Sequence, residues 1–276
     1  MEIMETLGMR LPERFRQKIA GISNRLTLTD REVKQRRVEI FNAQPGTLDD
    51  GYDCPLCLNR GDSMILTDDG EIRCTPCSCM ATRKSIRSIR RSGLSELLTR
   101  YTLDSWKCRE PWQKNLLETA LRYARNPEGW MYLAGRPGTG KTHICTAVCG
   151  LLMDKGLETR YMLWRDVSVK AKALVNDCDR YEELLQPLIE SPVLYIDDFF
   201  KAGKGKEPTE ADVSFAFQLL NNRYNDSRKL TLISSELPLE TVLDIDEAVG
   251  SRIYQRTEGR YMNLTNYANW RLGDMK

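Results

Sequence analysis

Residues 130–149 read Trp-Met-Tyr-Leu-Ala-Gly-Arg-Pro-Gly-Thr-Gly-Lys-Thr-His-Ile-Cys-Thr-Ala-Val-Cys. The octet inside this stretch, Gly135, Arg136, Pro137, Gly138, Thr139, Gly140, Lys141 and Thr142, is a complete G-x-x-x-x-G-K-T phosphate-binding loop. Its glycines let the backbone wind tightly enough to point successive N–H groups at an anion. Lys141 is placed to reach the β- and γ-phosphates of a nucleotide, and the Thr142 hydroxyl to ligate Mg²⁺. The apolar run 130–134 has the length of a strand. The unbroken stretch from His143 onward predicts a helix, whose N-terminus adds partial positive charge at the phosphates.

Working outward, apolar strands are predicted at 130–134, 159–164, 193–197 and 229–234, separated by stretches of helical character. That alternation predicts a mostly parallel, three-layer α/β domain. Val193-Leu194-Tyr195-Ile196-Asp197-Asp198 is an apolar strand ending in two carboxylates. Strand ends of parallel sheets gather at the ligand edge. Asp197 is the expected Mg²⁺-side carboxylate, and Asp198 is expected to orient the attacking water. Together with the loop they point to hydrolysis of ATP or GTP, and no base-reading loop of a GTPase follows. His143, the single histidine, adjoins the loop. Helix packing is favoured for it over a general-base role, and one histidine leaves little room for a Ser/His/Asp triad.

The chain has 276 residues and a net charge of +2, room for a large domain and a smaller one, with no charge excess that demands or excludes nucleic acid. No run approaches the roughly 18 apolar residues of a membrane span, and no secretory signal is evident. Ahead of the nucleotide motifs, Cys54 and Cys57 form one close pair, and Cys74, Cys77 and Cys79 offer a second. Such pairs suit a structural, tetrahedral Zn²⁺ site. The second pair is either Cys74 with Cys77 or Cys77 with Cys79. Cys108, Cys145, Cys149 and Cys178 read as ordinary core or surface residues.

Residues 1–50 read as two helical pieces. The first carries Leu11, Phe15, Ile19 and Ile22 at helical spacing, and the second starts at the capping box Thr29-Asp30-Arg31-Glu32 and ends at Pro45-Gly46. Residues 51–82 form the expected zinc module. Residues 83–108 read as a basic linker, with Arg83, Lys84, Arg87, Arg90, Arg91 and Arg100 against Glu96 alone up to residue 100. Residues 109–276 are the expected nucleotide domain.

This arrangement resembles the replicative DNA helicase loaders of the DnaC/DnaI type, especially those of phages and prophages of low-GC Gram-positive bacteria. The resemblance rests on the cysteines, on Arg83 to Arg87 and Ser92-Gly93-Leu94, on Tyr101-Thr102-Leu103, and on both nucleotide motifs. It rests most specifically on Phe215 to Tyr224 and on Ile245 to Tyr254. The resemblance implies an AAA+ fold with a reduced lid, behind a small zinc module and an N-terminal helical segment. It also implies ATP held at subunit interfaces of a ring or spiral of identical chains. Arg252 matches the family's arginine finger, Ser235 is favoured as the phosphate sensor of Ser234-Ser235-Glu236, and Arg271 is expected to act like a second sensor. The family's Cys-x-x-Cys with Cys-x-Cys favours Cys54, Cys57, Cys77 and Cys79, leaving Cys74 in reserve.

The expected partners are a hexameric replicative helicase, gripped through residues 1–50, and single-stranded DNA, in the cytoplasm and with no membrane. Single-strand binding needs positive charge and stacking aromatics. The basic loop from Phe199-Phe200-Lys201 to Lys206 and the stretch Trp164-Arg165 to Lys172 are the two expected sites. The competing readings are a transposition ATPase of the IstB type and an ATP-gated adaptor with negligible hydrolysis, which Asp198 in place of the commoner Glu leaves open.

Overall fold

A computed structural model describes residues 28–91, 95–203 and 205–270. The expected helix over Leu11 to Ile22, and Arg271, lie outside them. The chain divides into two compact units, meeting between Cys77 and Ser78.

The first unit holds helix α1 (Asp30–Ala43) and an antiparallel hairpin of β1 (Asp62–Leu66) and β2 (Ile72–Pro76). Thr29 caps α1 as its sequence predicts: its hydroxyl accepts from Glu32 N, and Glu32 returns to the Thr29 N–H at 2.7 Å. The helix stops at Ala43, with Gln44 as its C-cap directly ahead of Pro45-Gly46. Asn42 then ties it to β1 by a reciprocal amide pair, donating to Met64 O and accepting from Met64 N, both at 2.9 Å. The hairpin turns at Gly70 with φ +80°. Among the described hydrophobic residues of this unit other than cysteine, Val38 alone is buried.

The second unit opens with α2 (Cys79–Arg91), α3 (Ser95–Arg100) and α4 (Pro111–Arg125). It continues as β3 (Trp130–Gly135), α5 (Lys141–Asp154), β4 (Thr159–Leu163), α6 (Trp164–Ala173), α7 (Cys178–Glu190) and β5 (Val193–Phe199). It closes with α8 (Glu210–Tyr224), β6 (Leu230–Ser235), α9 (Leu239–Ile245), α10 (Glu247–Thr257) and β7 (Tyr261–Leu264). The basic stretch read as a linker thus contains two helices. One of them, α2, is fixed in this unit by Thr82, which donates to Met153 O at 2.8 Å, and by Ser85, which accepts from Thr159 N at 2.5 Å.

The sheet order is β4-β5-β6-β3-β7, and every described pairing is parallel. The short edge strand β7 was not expected from its mixed composition. Successive strand side chains alternate between two cores. Trp130, Tyr132, Leu194, Ile196 and Ile233 pack toward α6 to α10. Met131, Leu133, Val193, Tyr195 and Leu232 pack toward α4 and α5. This is the three-layer α/β/α architecture. Because β6 lies between the loop strand β3 and the acidic strand β5, its end stands at the centre of the ligand edge.

Candidate nucleotide site and thiolate cluster

The phosphate loop joins β3 to α5. Gly138 and Gly140 adopt φ +82° and +87°, a region that side chains disfavour. Each is also crowded from outside: a Cβ on Gly138 would fall on the Asn269 carboxamide, and one on Gly140 would lie 2.5 Å from the Trp106 ring. Lys141 is buried, and its ammonium donates to Gly135 O at 2.7 Å and Arg136 O at 3.0 Å. Burial pushes its pKa down, against the opposing pull of Asp198, Glu236 and Asp197.

A cleft of about 650 Å³ opens over the loop. Its floor is Pro137 to His143. One wall is Arg100 to Gln113, another is Ala268 to Trp270, and Asp198, Lys201 and Glu236 close one side. Trp270 N donates to Gly138 O at 3.1 Å, so the chain after β7 is pinned to the loop itself. His143 stacks on Tyr101 with ring centroids 4.7 Å apart and meets the Trp106 ring edge-on at 5.2 Å. Its Nε2 is 2.9 Å from Thr102 O, an acceptor only, so the proton sits on Nε2. Burial lowers its pKa, opposed by that bond. His143 therefore serves as a neutral brace at the rim of the cleft, in keeping with the packing role.

Asp197 and Asp198 separate at the end of β5. Asp197 is buried, and its carboxylate accepts from Tyr195 OH at 2.7 Å, Tyr161 OH at 3.2 Å, Thr142 Oγ1 at 3.3 Å and the Ser234 hydroxyl. Burial first, and then the Asp197 charge, push both tyrosine pKa values far up, so both remain donors. Asp198 instead lines the cleft. It sits at φ +55° in a β-bulge, and its side chain pairs with Lys201 Nζ at 2.9 Å.

The phosphate-sensor expectation needs correction. Ser235 turns away: its hydroxyl donates to Phe199 O at 2.8 Å and accepts from Leu237 N at 3.0 Å. Ser234 is the hydroxyl on Asp197, and it also accepts from Asp198 N at 3.2 Å. The signal was in the strand alternation. Ser234 shares the parity of Leu232, Tyr195 and Asp197, which face the loop helix α5, whereas Ser235 shares that of Ile233.

The expected DNA-stacking aromatics also need correction. Phe199 and Phe200 are 0% and 2% exposed and Trp164 is 1% exposed. The two phenylalanine rings stack at 4.1 Å with the Trp164 indole edge-on to both. None has a free π-face for a base. The hydrophobic runs containing them belong to the core, and the neighbouring lysines do not change that.

Arg252 lies on α10 and is not among the cleft-lining residues. Its Nε donates to Asn221 Oδ1 at 3.0 Å and its Nη1 to Ala248 O at 2.6 Å. Its guanidinium lies 4.8 Å from the Phe217 ring centroid and 5.6 Å from that of Tyr224. The run 215–224 thereby acquires two meanings. Phe215, Ala216, Leu219, Leu220 and Arg223 are buried, while Phe217, Asn221 and Tyr224, at helical spacing, form the cradle of Arg252.

Four cysteines, Cys54, Cys57, Cys77 and Cys79, are buried with sulfurs within 4.8 Å of one another. The Cys54 and Cys77 sulfurs are 3.8 Å apart, and tetrahedral zinc with bonds of about 2.3 Å requires about 3.8 Å between ligand sulfurs. Gly61 N points at Cys57 Sγ from 3.3 Å, a donor suited to a thiolate. The residues thus fit zinc. Cys74 is exposed and directed at Asp62, outside the group, which resolves the choice left open by spacing. Thr142 Oγ1 lies 3.3 Å from the Asp197 carboxylate, and both are hard oxygen donors of the kind that suits Mg²⁺.

The fold and cleft define a nucleotide-binding α/β domain of the AAA+ kind. The chain belongs to the family of IstB-like ATP binding proteins, whose pattern it matches over residues 80–257. It is 30% identical to the phage-like element PBSX protein XkdC of Bacillus subtilis (strain 168), over 81% of this chain and 87% of that protein. It is 27% identical to the uncharacterized protein YqaM of the same strain, over 93% of this chain and 98% of the other. The replicative helicase loader DnaC of Escherichia coli (strain K12) is 28% identical over 42% of this chain and 49% of its own length. A crystal structure of the DnaC helicase loader superposes with a TM-score of 0.51 at 20% identity, covering 61% of this chain and 97% of that one, a likeness of fold. Among the described residues no helix is long and apolar enough to cross a membrane.

Proposed function

We propose that this protein is a cytoplasmic, ATP-dependent loader of a replicative hexameric DNA helicase onto single-stranded DNA, assembling with copies of itself when ATP is bound. The observation that carries the proposal is the division of the catalytic parts. The cleft collects Lys141, Thr142 and Asp198 over a buried Asp197, while Arg252 stands apart in its own cradle. That separation supports a site completed by a neighbouring subunit's arginine. The relationship to DnaC, a replicative helicase loader by name, supports the choice of cargo.

In this reading Lys141 and the loop N–H groups hold the phosphates, and Thr142 and Asp197 hold Mg²⁺. When bound, the ion would supply charge neutralisation at the phosphates. Asp198 orients the attacking water, Ser234 fixes Asp197 against the loop helix, and Arg252 serves the adjacent subunit's nucleotide. A transferred arginine of this kind is worth about 10³–10⁵ in rate in other nucleotidases. The four cysteines hold a structural zinc, and residues 1–50 grip the helicase. The domain plan is an N-terminal segment to residue 50, the zinc module at 51–82, the basic stretch 83–108 and the ATPase domain from 109.

The test is co-purification with the host's hexameric helicase, with and without ATP and single-stranded DNA. Recovery of the helicase that is lost in Lys141→Ala supports loading. Recovery of a transposase instead would establish the second reading, a transposition ATPase, which the IstB name of the matching family favours. Helicase recovery with ATP binding but no turnover would point to the adaptor, a reading favoured by the Asp198–Lys201 pairing.

A further inference from the structure

We propose that Lys201 is a second lysine of the nucleotide site, held in the resting protein between Asp198 and Glu236 and released to a γ-phosphate oxygen when ATP binds. The inference rests on the cleft's being a nucleoside triphosphate site. Lys201 Nζ lies 2.9 Å from Asp198 Oδ2 and 2.8 Å from Glu236 Oε1, and all three residues line the cleft beside Lys141. Burial works against its charge, but the bonds to Glu236 and Asp198 prevail and its pKa is raised. It is therefore a cation wherever the protein is folded near neutral pH.

The backbone that presents it is constrained. Asp198 and Phe200 both take left-handed conformations, φ +55° and +57°, within three residues. Strain of this kind persists only where the surroundings enforce it, and it gathers at functional sites. Here the enforcement is visible. Phe199 and Phe200 are clamped in the aromatic cluster around Trp164, Ser235 holds Phe199 O, and Lys201 N closes a turn onto Asp198 O at 3.0 Å. The bulge brings the ammonium to the edge of the cleft, where the side chain remains 39% exposed.

Charge explains the need. Around the end of β5 the cleft gathers Asp198 and Glu236 beside Lys141, with Asp197 buried close enough behind them to act on the same ammonium. Three carboxylates would repel a terminal phosphate, and Lys201 offsets them. In this proposal the third phosphate of ATP would lie on the Asp198 side of Lys141, where the Lys201 ammonium would separate ATP from ADP. Lys201 also opens the basic run that continues to Lys206.

The test is equilibrium binding of ATP and ADP to the full-length protein, comparing wild type with Lys201→Met, Lys201→Arg and Glu236→Gln. One charge-assisted hydrogen bond made only to the γ-phosphate predicts about a tenfold loss of ATP affinity in Lys201→Met. ADP affinity should hold within about twofold, and Lys201→Arg should restore most of the preference. Glu236→Gln, which frees the ammonium from one partner, should raise the preference for ATP and carries the test if Lys201→Met does not fold. An unchanged ATP-to-ADP ratio in Lys201→Met, or in Glu236→Gln where it stands in, overturns the inference. If wild type binds neither nucleotide, and Lys141→Ala is indistinguishable from it, the nucleotide reading itself fails.

Discussion

Stripping the metal from the thiolate cluster should unfold the N-terminal unit and leave the nucleotide cleft working. The magnitude follows from what that unit lacks. Among its described residues, Val38 is the buried hydrophobic besides the cysteines, while Ile40, Leu56, Leu58 and Ile65 are exposed. Burying one valine contributes about 1.5–3 kcal/mol. Ordering even ten residues of backbone costs about 1–2 kcal/mol each, and a two-stranded hairpin is marginal by itself. Zinc in small domains contributes about 10–16 kcal/mol at neutral pH, enough for a zinc held by the four cysteines to stand in for the core this unit lacks. The assay is zinc stoichiometry, then limited proteolysis with and without a chelator, with cleavages mapped by mass spectrometry. Cuts are expected between residues 28 and 77 after chelation and in Cys57→Ser, while ATP binding persists, since the cleft is lined by residues from Arg100 onward. Metal-free protein that resists protease across 28–77 as well as the zinc form does would refute the reasoning. Cys74→Ser, outside the cluster, should behave as wild type.

Three further outcomes can be checked on the same protein. Ser234→Ala removes a hydroxyl from buried Asp197 and should lower ATP turnover more than Ser235→Ala, which should instead cost about 1–2 kcal/mol of thermal stability through the lost Phe199 and Leu237 bonds. Arg252→Ala should abolish most turnover with ATP affinity nearly intact, and Asn221→Ala, by freeing the guanidinium, should do so in part; mixing Arg252→Ala with Lys141→Ala subunits should recover activity if the arginine serves its neighbour. The lowered pKa of His143 favours the neutral ring in the folded state. Its contribution is therefore present above the ordinary value of 6.5 and lost as pH falls through the folded value. Melting between pH 7 and pH 5 should drop more steeply in wild type than in His143→Gln.

The loop Gly135 to Thr142, the acidic strand end and the spaced cysteines were legible because their chemistry is contiguous. A phosphate cradle is made of successive N–H groups, and Cys54 with Cys57 can reach one metal because only two residues separate them. The capping box at Thr29 is local in the same way. Residue type and spacing alone sufficed for the loop, the strand end, the cap, the first cysteine pair and four of the sheet's five strands, and left the second cysteine pair open.

The remainder depended on direction. Ser234 and Ser235 are equivalent as text, and only the packing of β6 beside β5 decides which one faces the loop helix. Phe199, Phe200 and Trp164 read as exposed because lysines and glycines follow or flank them, yet a bulge folds all three rings into one cluster. Arg252 reaches Asn221 across 31 residues, and Lys201 reaches Glu236 from a neighbouring strand end. The sequence by itself determined that the chain binds phosphate at one helix N-terminus and gathers thiols ahead of it. The tertiary structure decided which side chains stand around those points, because side-chain direction is set by sheet register and helix packing, and both are long-range.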